Sequence, residues 1–276
     1  MFNPETPVRF ADLGLSPRML KALVDVRYES ATPIQAGFIP IAITGVDCTG
    51  QARTGTGKTA AFVIPILERI DHDCPDVQAL VLSPTRELSE QVAAECARLA
   101  AQHNCQPALL VGGKSIGGQL EQLRRKPSIV VGTPGRVIDL MHRKAVDFSR
   151  LKIVVLDEAD RMLDIGFRPD IERILRRCPT ERQTLLLSAT MPPPVERLAK
   201  RYMRDPQRVD LSQDQVVTDM VKQFYCTVDH KRKFGLLVKL LLAERPQQAI
   251  VFCRTKRGAD KLYQKLATRL HHIAAM

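Results

Sequence analysis

The sequence predicts an α/β fold in which a parallel sheet is covered by helices on both faces. Four short apolar runs carry this prediction: ALVLS (79–83), SIVVG (128–132), KIVVL (152–156) and TLLLS (184–188). Runs of this length are too short for helices, and their continuous apolar character is typical of strands buried on both faces of a parallel sheet. The stretches between them have helical patterns, and strand–helix alternation of this kind builds βαβ units.

The clearest helical pattern follows the first run. After Arg86, the apolar residues Leu88, Val92, Cys96 and Leu99 recur at helical spacing. This places one side of the segment against a core and predicts a helix.

A polar cluster follows each predicted strand. PTRE follows the first, TPGR the second, DEAD the third and AT the fourth. In open α/β sheets, ligands bind outside the carboxyl ends of the strands. We therefore expect the four clusters to meet at one edge of the sheet and to form the functional site.

Composition limits the class of protein. The 276 residues carry a net charge of +11, which favours a polyanionic partner, although a merely basic surface remains an alternative. With no Trp and 5% aromatic residues, contacts to a nucleic-acid backbone are expected rather than base stacking. The seven cysteines include no CxxC pair, which favours reduced thiols and a cytoplasmic location. No apolar run approaches the ~20 residues that cross a bilayer, so no membrane association is expected.

The segment QARTGTGKTAAF (51–62) predicts a phosphate-binding loop. Gly55 and Gly57 allow backbone N–H groups to point at phosphate oxygens, Lys58 reaches the β- and γ-phosphates, and the Thr59 hydroxyl binds Mg²⁺. Ala52 stands where the general pattern has its first glycine, and alanine serves there if its φ is negative. A flexible Gly/Thr turn is the alternative.

The segment VVLDEAD predicts the acidic part of the same site. Asp157, at the end of an apolar strand, suits the Mg²⁺ shell of a phosphate-loop nucleoside triphosphatase. Glu158 is placed to orient or deprotonate the attacking water. The alternative is a helix start with favourable acidic residues.

Together with the literal DEAD tetrad, these motifs resemble the DEAD-box ATP-dependent RNA helicase family of helicase superfamily 2, from Phe10 to about Asp210. The resemblance implies two RecA-like α/β domains that bind ATP, Mg²⁺ and RNA. It divides the chain into an N-terminal segment with the Q motif (1–36), an ATP-binding RecA-like domain (37–212) and a partial second RecA-like domain (213–276). Gln35 would select adenine and Phe10 would contribute an aromatic contact.

The resemblance also assigns residues to each part of the site. Motif I comprises Ala52, Arg53, Thr54, Gly55, Thr56, Gly57, Lys58 and Thr59. The segments that would hold the RNA backbone comprise Pro84, Thr85, Arg86, Gly112, Gly113, Thr133, Pro134, Gly135 and Arg136. Asp160, Ser188 and Thr190 would couple nucleotide state to domain closure. From the residues alone, Thr85 could equally be a helix cap, TPGR a turn and Gln35 part of a routine helix start.

The pattern changes in a polar boundary segment (202–219). After it we expect a strand (221–228), a helix (231–244), a strand (249–253) and a helix from about Lys256. AIVFCRTKRGADKLYQKL (249–266) resembles the family's motif IV region, but nothing corresponds to the later motifs that include the arginine finger. The expectation is a partial, monomeric helicase that exposes apolar faces, binds ATP and has impaired RNA-stimulated turnover.

Two other functions remain open at this point. One is a DNA-directed helicase of the same superfamily, which the adenine-reading motif and the literal tetrad disfavour. The other is a nucleotide-gated RNA-binding fragment without turnover, which the absent motifs favour and the intact Asp157–Glu158 pair disfavours. The sequence does not indicate which RNA is bound.

Overall fold

The chain forms two compact units, Met1–Gln215 and Val216–Met276. The computed structural model describes residues 8–103, 105–211, 222, 224–270 and 273–275. The division between the units falls among residues that lie outside this description. The predicted domain boundaries at 36/37 and 212/213 therefore stay predictions.

The first unit is built on a seven-stranded sheet in the order β5-β6-β4-β7-β8-β3-β9, in which every neighbouring pair is parallel. Its strands are β3 (Cys48–Gln51), β4 (Ala79–Leu82), β5 (Ala108–Leu110), β6 (Ile129–Gly132), β7 (Ile153–Leu156), β8 (Gln183–Ser188) and β9 (Gln207–Asp210). The predicted parallel α/β fold is confirmed, and each of the four apolar runs forms a strand.

Helices cover both faces of this sheet. They are α1 (Pro17–Asp25), α2 (Pro33–Ala42), α3 (Lys58–Arg69), α4 (Arg86–Leu99), α5 (Ile116–Arg124), α6 (Pro134–His142), α7 (Ala159–Ile165), α8 (Arg168–Leu175) and α9 (Pro193–Tyr202). Ahead of the main sheet, two short strands, β1 (Val8–Arg9) and β2 (Ser30–Ala31), pair in antiparallel fashion. The predicted helix after Arg86 is α4, and Val92, Cys96 and Leu99 on it are fully buried.

Two apolar cores lie on opposite sides of the sheet. Val81 and Val155 belong to one core, whereas their sequence neighbours Leu80 and Val154 belong to the other. Successive side chains of a strand point to opposite faces, so a strand buried on both sides needs apolar residues at every position. This is why the central strands read as unbroken apolar runs.

The register brings the polar clusters together. Leu82 at the end of β4 pairs with Gly132 on one side and with Leu156 on the other, and Gln51 pairs with Ser188. The carboxyl ends of these strands therefore lie along one edge. The predicted convergence of PTRE, TPGR, DEAD and AT at that edge is confirmed.

In the seven-stranded sheet, β3, β5 and β9 were not expected, and of these β3 and β9 lack an apolar run. The boundary segment 202–219 is polar and shows little periodicity, yet β9 lies within it and pairs with β3 from Cys48↔Gln207 to Gln51↔Asp210. β9 is an edge strand whose side chains are largely exposed, so its residues are polar. In β3, a Cβ on Gly50 would lie 3.0 Å from the Phe38 ring, so close helix packing selects a small residue over an apolar one.

The second unit contains two helices among its described residues, α10 (Lys233–Glu244) and α11 (Lys256–Ala267), as expected. The expected strands 221–228 and 249–253 are wrong for the described residues, and Val221 and Gln223 lie outside the description. A strand requires a neighbouring strand for its backbone hydrogen bonds, and neither segment pairs with one here. The apolar residues Phe224, Tyr225 and Phe252 are exposed in these segments, which agrees with the expected exposure of apolar surface.

Candidate functional site

The predicted phosphate loop connects β3 to α3. Gly55 and Gly57 have φ values of 83° and 91°, in the left-handed region that favours glycine. Ala52 is not among the positive-φ residues of the described chain, so alanine fits the first position without strain. Its N–H donates to the Ser188 carbonyl at 3.1 Å, which ties the loop to the end of β8.

The loop is folded around its lysine. The buried Lys58 Nζ donates to the Ala52 carbonyl at 2.8 Å, and Thr56 Oγ1 donates to the Arg53 carbonyl at 2.7 Å. Lys58 is also the first residue of α3, where N–H groups without intrahelical partners favour an anion. The loop is therefore held in one shape by its own hydrogen bonds, with the N–H groups at the start of α3 left without helical partners.

An open cavity of about 420 Å³ lies in front of this loop. It is lined from the loop by Thr54, Gly55, Gly57, Lys58 and Thr59, and from the tetrad by Asp157 and Glu158. The structure thus brings the predicted phosphate, metal and water-activating residues to one space. Ala52, Arg53 and Thr56 shape the loop without lining the cavity.

Asp157 and Glu158 follow β7 directly. The Asp157 N–H donates to the Leu82 carbonyl at 2.9 Å, and its side chain is buried. Burial raises the pKa of Asp157 to about 7; the Lys58 charge opposes this rise and the Glu158 charge adds to it. Glu158 has a left-handed backbone, with φ 49°, and its Oε2 pairs with Arg161 Nη1 at 3.2 Å. A strained backbone of this kind often marks a functional residue.

Asp160 joins the tetrad to the SAT segment. Its N–H donates to Ser188 Oγ at 3.1 Å, and its Oδ2 accepts from the Thr190 N–H at 2.9 Å and from Thr190 Oγ1 at 2.7 Å. Burial acts to raise the pKa of Asp160, but the hydrogen bonds from Thr190 and Ser188 outweigh it and hold the pKa below its ordinary value. The three residues expected to act together are thus in direct contact.

Gln35 supports the phosphate loop. Its Oε1 accepts from the Thr32 N–H at 2.9 Å in a capping box that starts α2, and its Nε2 donates to the Gly57 carbonyl at 3.1 Å. The helix-start alternative is therefore real, and the same amide also contacts the nucleotide loop. Adenine selection by Gln35 stays a prediction.

Tyr28 was missed from the sequence. It lines the cavity, whereas the predicted aromatic residue Phe10 is buried behind it and stacks on it with ring centroids 6.0 Å apart. The Tyr28 hydroxyl donates to Glu95 and accepts from Arg98, both on α4. Burial is the larger cause, and the Glu95 carboxylate the next, of a rise in the pKa of Tyr28 to about 12. Tyr28 lies seven positions before Gln35, and a single aromatic residue there does not by itself indicate a binding site.

The predicted RNA segments lie at the same edge of the sheet. Thr85 Oγ1 accepts from the Leu88 N–H at 3.2 Å, so Thr85 does cap α4, and Arg86 extends from that helix start into solvent. Pro84 is buried beneath it. The exposed Gly113 has a φ of 77°, and a Cβ there would lie 3.1 Å from Arg86 Nη1.

The TPGR segment begins α6. Thr133 precedes the helix and Pro134 is its buried first residue, so this segment is a helix start rather than a free turn. Gly135 is exposed, and Arg136 Nη1 donates to the Lys114 carbonyl at 3.3 Å. Lys114 directly follows Gly112 and Gly113, so the TPGR segment contacts the residue next to the GG segment.

Two further features concern metals and membranes. The described residues contain no group of three or more His, Cys, Asp or Glu side chains that could hold a metal ion. A site with one carboxylate and one hydroxyl remains compatible with Mg²⁺, which binds through few protein ligands together with substrate phosphates. No described helix is long and apolar enough to cross a membrane.

Comparison with known proteins agrees with this geometry. The family model described as DEAD/DEAH box helicase matches residues 32–198, more than half of the chain. The chain belongs to the DEAD/DEAH box helicase family. It is 44% identical over 262 residues to the DEAD-box ATP-dependent RNA helicase CshA of Bacillus subtilis, covering 95% of this chain and 53% of that protein. It is 44% identical over 269 residues to the ATP-dependent RNA helicase CshA of Limosilactobacillus reuteri, covering 98% and 54%.

Two solved structures share the fold. A DEAD box protein from Methanococcus jannaschii superposes with a TM-score of 0.71 at 36% identity, covering 97% of this chain and 72% of the other. A Saccharomyces cerevisiae Dbp5 variant bound to RNA and ADP BeF3 superposes with a TM-score of 0.80 at 32% identity, covering 95% and 67%. The chain spans about half the length of the CshA relatives.

Proposed function

We propose that this chain is the ATP-binding part of a DEAD-box ATP-dependent RNA helicase, which couples ATP hydrolysis to local unwinding of RNA duplexes. One observation carries the proposal: Lys58, Thr59 and the Asp157–Glu158 pair line a single cavity at the carboxyl edge of the sheet. The names of the CshA relatives and the RNA-bound Dbp5 structure support this function.

Each cavity residue has a role that its position supports. Lys58 neutralises charge on the β- and γ-phosphates. The Thr59 hydroxyl and the buried Asp157 carboxylate are oxygen ligands of the kind that Mg²⁺ prefers, and Mg²⁺ would neutralise phosphate charge. Glu158 orients the attacking water and accepts its proton, and its Oε1 can do so while Oε2 stays paired with Arg161.

The base would lie toward Tyr28. Tyr28 lines the cavity with the phosphate loop, its ring stacks with Phe10, and Arg98 Cζ lies over the ring, 5.0 Å from its centroid. A base that stacks on this ring would compete with Arg98 for its face. Gln35 would select adenine from its place against Gly57. A base that contacts Gln35 would act on the phosphate loop through the hydrogen bond from Gln35 to the Gly57 carbonyl.

RNA would be held through its backbone and without sequence preference. The half-exposed Arg86, the starts of α4 and α6, and Arg136, whose side chain is 13% exposed, would supply hydrogen-bond donors to RNA phosphates along one edge. The protein would work as a monomer. The seven free cysteines support a cytoplasmic location.

Steady-state ATP hydrolysis tests the proposal. The chain is assayed with single-stranded RNA, with DNA of the same sequence and without nucleic acid, using Glu158→Gln as the blank. We expect the 276-residue chain to bind ATP and to hydrolyse it slowly. RNA stimulation above the blank would support the helicase and contradict the impaired turnover.

The other results distinguish the alternatives. Equal or greater stimulation by DNA would favour a DNA-directed helicase. Binding of ATP and RNA without any turnover above the blank would favour a nucleotide-gated RNA-binding protein. Failure to bind ATP would refute the proposal.

A further inference from the structure

A third cation lies beside the two arginines of the proposed RNA surface. Lys114 follows Gly113, whose Cβ position is 3.1 Å from Arg86 Nη1, and the Lys114 carbonyl accepts from Arg136 Nη1 at 3.3 Å. Lys114 was not among the residues expected to hold RNA. Its backbone nevertheless contacts one of those arginines, and its neighbour approaches the other.

The loop that carries Lys114 is held by hydrogen bonds from the buried side chain of Gln119. Gln119 is buried; its Oε1 accepts from the Val111 N–H at 3.2 Å, and its Nε2 donates to the carbonyls of Val111 at 3.0 Å and Lys114 at 3.5 Å. A backbone held in this way needs little further ordering when a ligand binds its side chains. Lys114 is thus presented to solvent from a fixed position.

The Lys114 side chain is paired with Glu90 of α4. Glu90 Oε1 lies 2.8 Å from Lys114 Nζ and 4.0 Å from Arg86 Nε, so one carboxylate reaches both cations. Arg86 Nη2 also pairs with Glu87 Oε1 at 3.2 Å. About half of the Lys114 and Arg86 side chains is exposed, and 39% of the Glu90 side chain. The negatively charged Glu90 carboxylate thus lies where an RNA phosphate would lie if Lys114 and Arg86 both bound it.

We propose that Lys114 is a further RNA phosphate-binding residue and that Glu90 competes with the RNA for Lys114 and Arg86. This inference rests on the proposed RNA binding. Exposed ion pairs are weak, so a phosphate replaces the carboxylate readily, but RNA must displace Glu90 to bind both cations. Glu90 would thereby weaken RNA binding and reduce its salt dependence.

Equilibrium binding of a fluorescein-labelled single-stranded RNA, followed by anisotropy across a series of salt concentrations, tests the inference. Each phosphate neutralised on a single strand adds about 0.7 to the slope of log K against log salt concentration. Glu90→Gln should tighten binding by up to about fivefold and steepen the slope. Lys114→Gln should weaken binding and flatten the slope by about 0.7.

A matched control is present on α5. Glu121 bridges Arg124 at 3.2 Å and Arg125 at 4.0 Å, and it shares no contact with the RNA surface in the described residues. Glu121→Gln therefore changes the net charge by the same amount as Glu90→Gln. Thermal melting of each variant verifies that it is folded.

The outcomes separate the two proposals. A gain in affinity for Glu90→Gln alone, reduced when Lys114→Gln is added, supports the competition. An equal gain for Glu121→Gln, no gain, or weaker binding by Glu90→Gln would overturn it. If the unchanged chain binds ATP but no RNA, the RNA part of the proposed function fails and this inference fails with it.

Discussion

Alanine at Gly57 tests how the phosphate loop depends on Gln35. Gly57 has a φ of 91°, and a Cβ there would lie 2.5 Å from Gln35 Nε2, closer than any relaxed contact. Gly55, two residues earlier, has a φ of 83° with no atom near its Cβ position. The two substitutions share the backbone strain, but only Gly57→Ala displaces the Gln35 amide.

The magnitudes follow from these two effects. A left-handed backbone costs a residue with a Cβ about 1–2 kcal/mol, and the lower entropy of the unfolded alanine chain offsets part of this, leaving about 1 kcal/mol for Gly55→Ala. Gly57→Ala also loses the hydrogen bond from Gln35 Nε2 to the Gly57 carbonyl, about 1 kcal/mol more. We expect losses in unfolding free energy of about 1 and about 2 kcal/mol.

A double-mutant cycle isolates the contact. With Gln35→Ala already in place, the amide is absent, and the cost of Gly57→Ala should fall to about 1 kcal/mol, that of Gly55→Ala. Urea unfolding without nucleotide measures each variant as a shift in midpoint at constant slope. Equal losses for the two glycine variants, or an unchanged Gly57→Ala cost beside Gln35→Ala, would refute the reasoning.

Three further changes probe the site. Tyr28→Ala should weaken ATP binding by the ~1–3 kcal/mol of a base–aromatic stack and leave tripolyphosphate binding unchanged by calorimetry, whereas Tyr28→Phe keeps the ring and most of the affinity. Thr190→Val should raise the pKa of Asp160, because it removes the hydrogen bond from Thr190 Oγ1. A lowered pKa stabilises the fold above the ordinary value of about 4, and this stabilisation is lost as the pH falls. The urea midpoint of the variant should therefore lie below that of the parent at neutral pH and converge with it in acid. Lys58→Ala should abolish measurable ATP binding and hydrolysis, since a buried cation facing Asp157 is removed; retained fluorescent-nucleotide affinity would contradict its role.

The sequence predicted those parts of the fold in which burial alone determines which residue types are present. Buried central strands need apolar residues at every position, so all four were visible as runs. β3 and β9 were not visible, because Gly50 is selected by contact with Phe38 and β9 is a polar edge strand. The two expected strands of the second unit lack pairing partners in the described residues, and strand propensity alone does not make a strand.

The same distinction holds for the site. The phosphate loop and the tetrad were predicted because their chemistry demands particular residues at fixed spacing within one segment. Tyr28 depends on contacts with α4, far along the chain, and the bridging of Lys114 by Glu90 joins two segments that meet only in the fold. The spacing of residues along the sequence does not predict such long-range tertiary contacts.

The hydrogen bonds at the carboxyl edge give a physical reason for expecting the phosphate loop, the tetrad and the SAT segment to move together. The Ala52 N–H bonds the Ser188 carbonyl, Ser188 Oγ accepts from the Asp160 N–H, and the Asp160 carboxylate accepts twice from Thr190. The phosphate loop, the tetrad and the SAT segment therefore share one set of bonds. Asp160 is two residues from Glu158, whose left-handed backbone leaves few ways to adjust. A shift of the loop on phosphate binding or release must then alter either the Ala52–Ser188 bond or the position of β8's end.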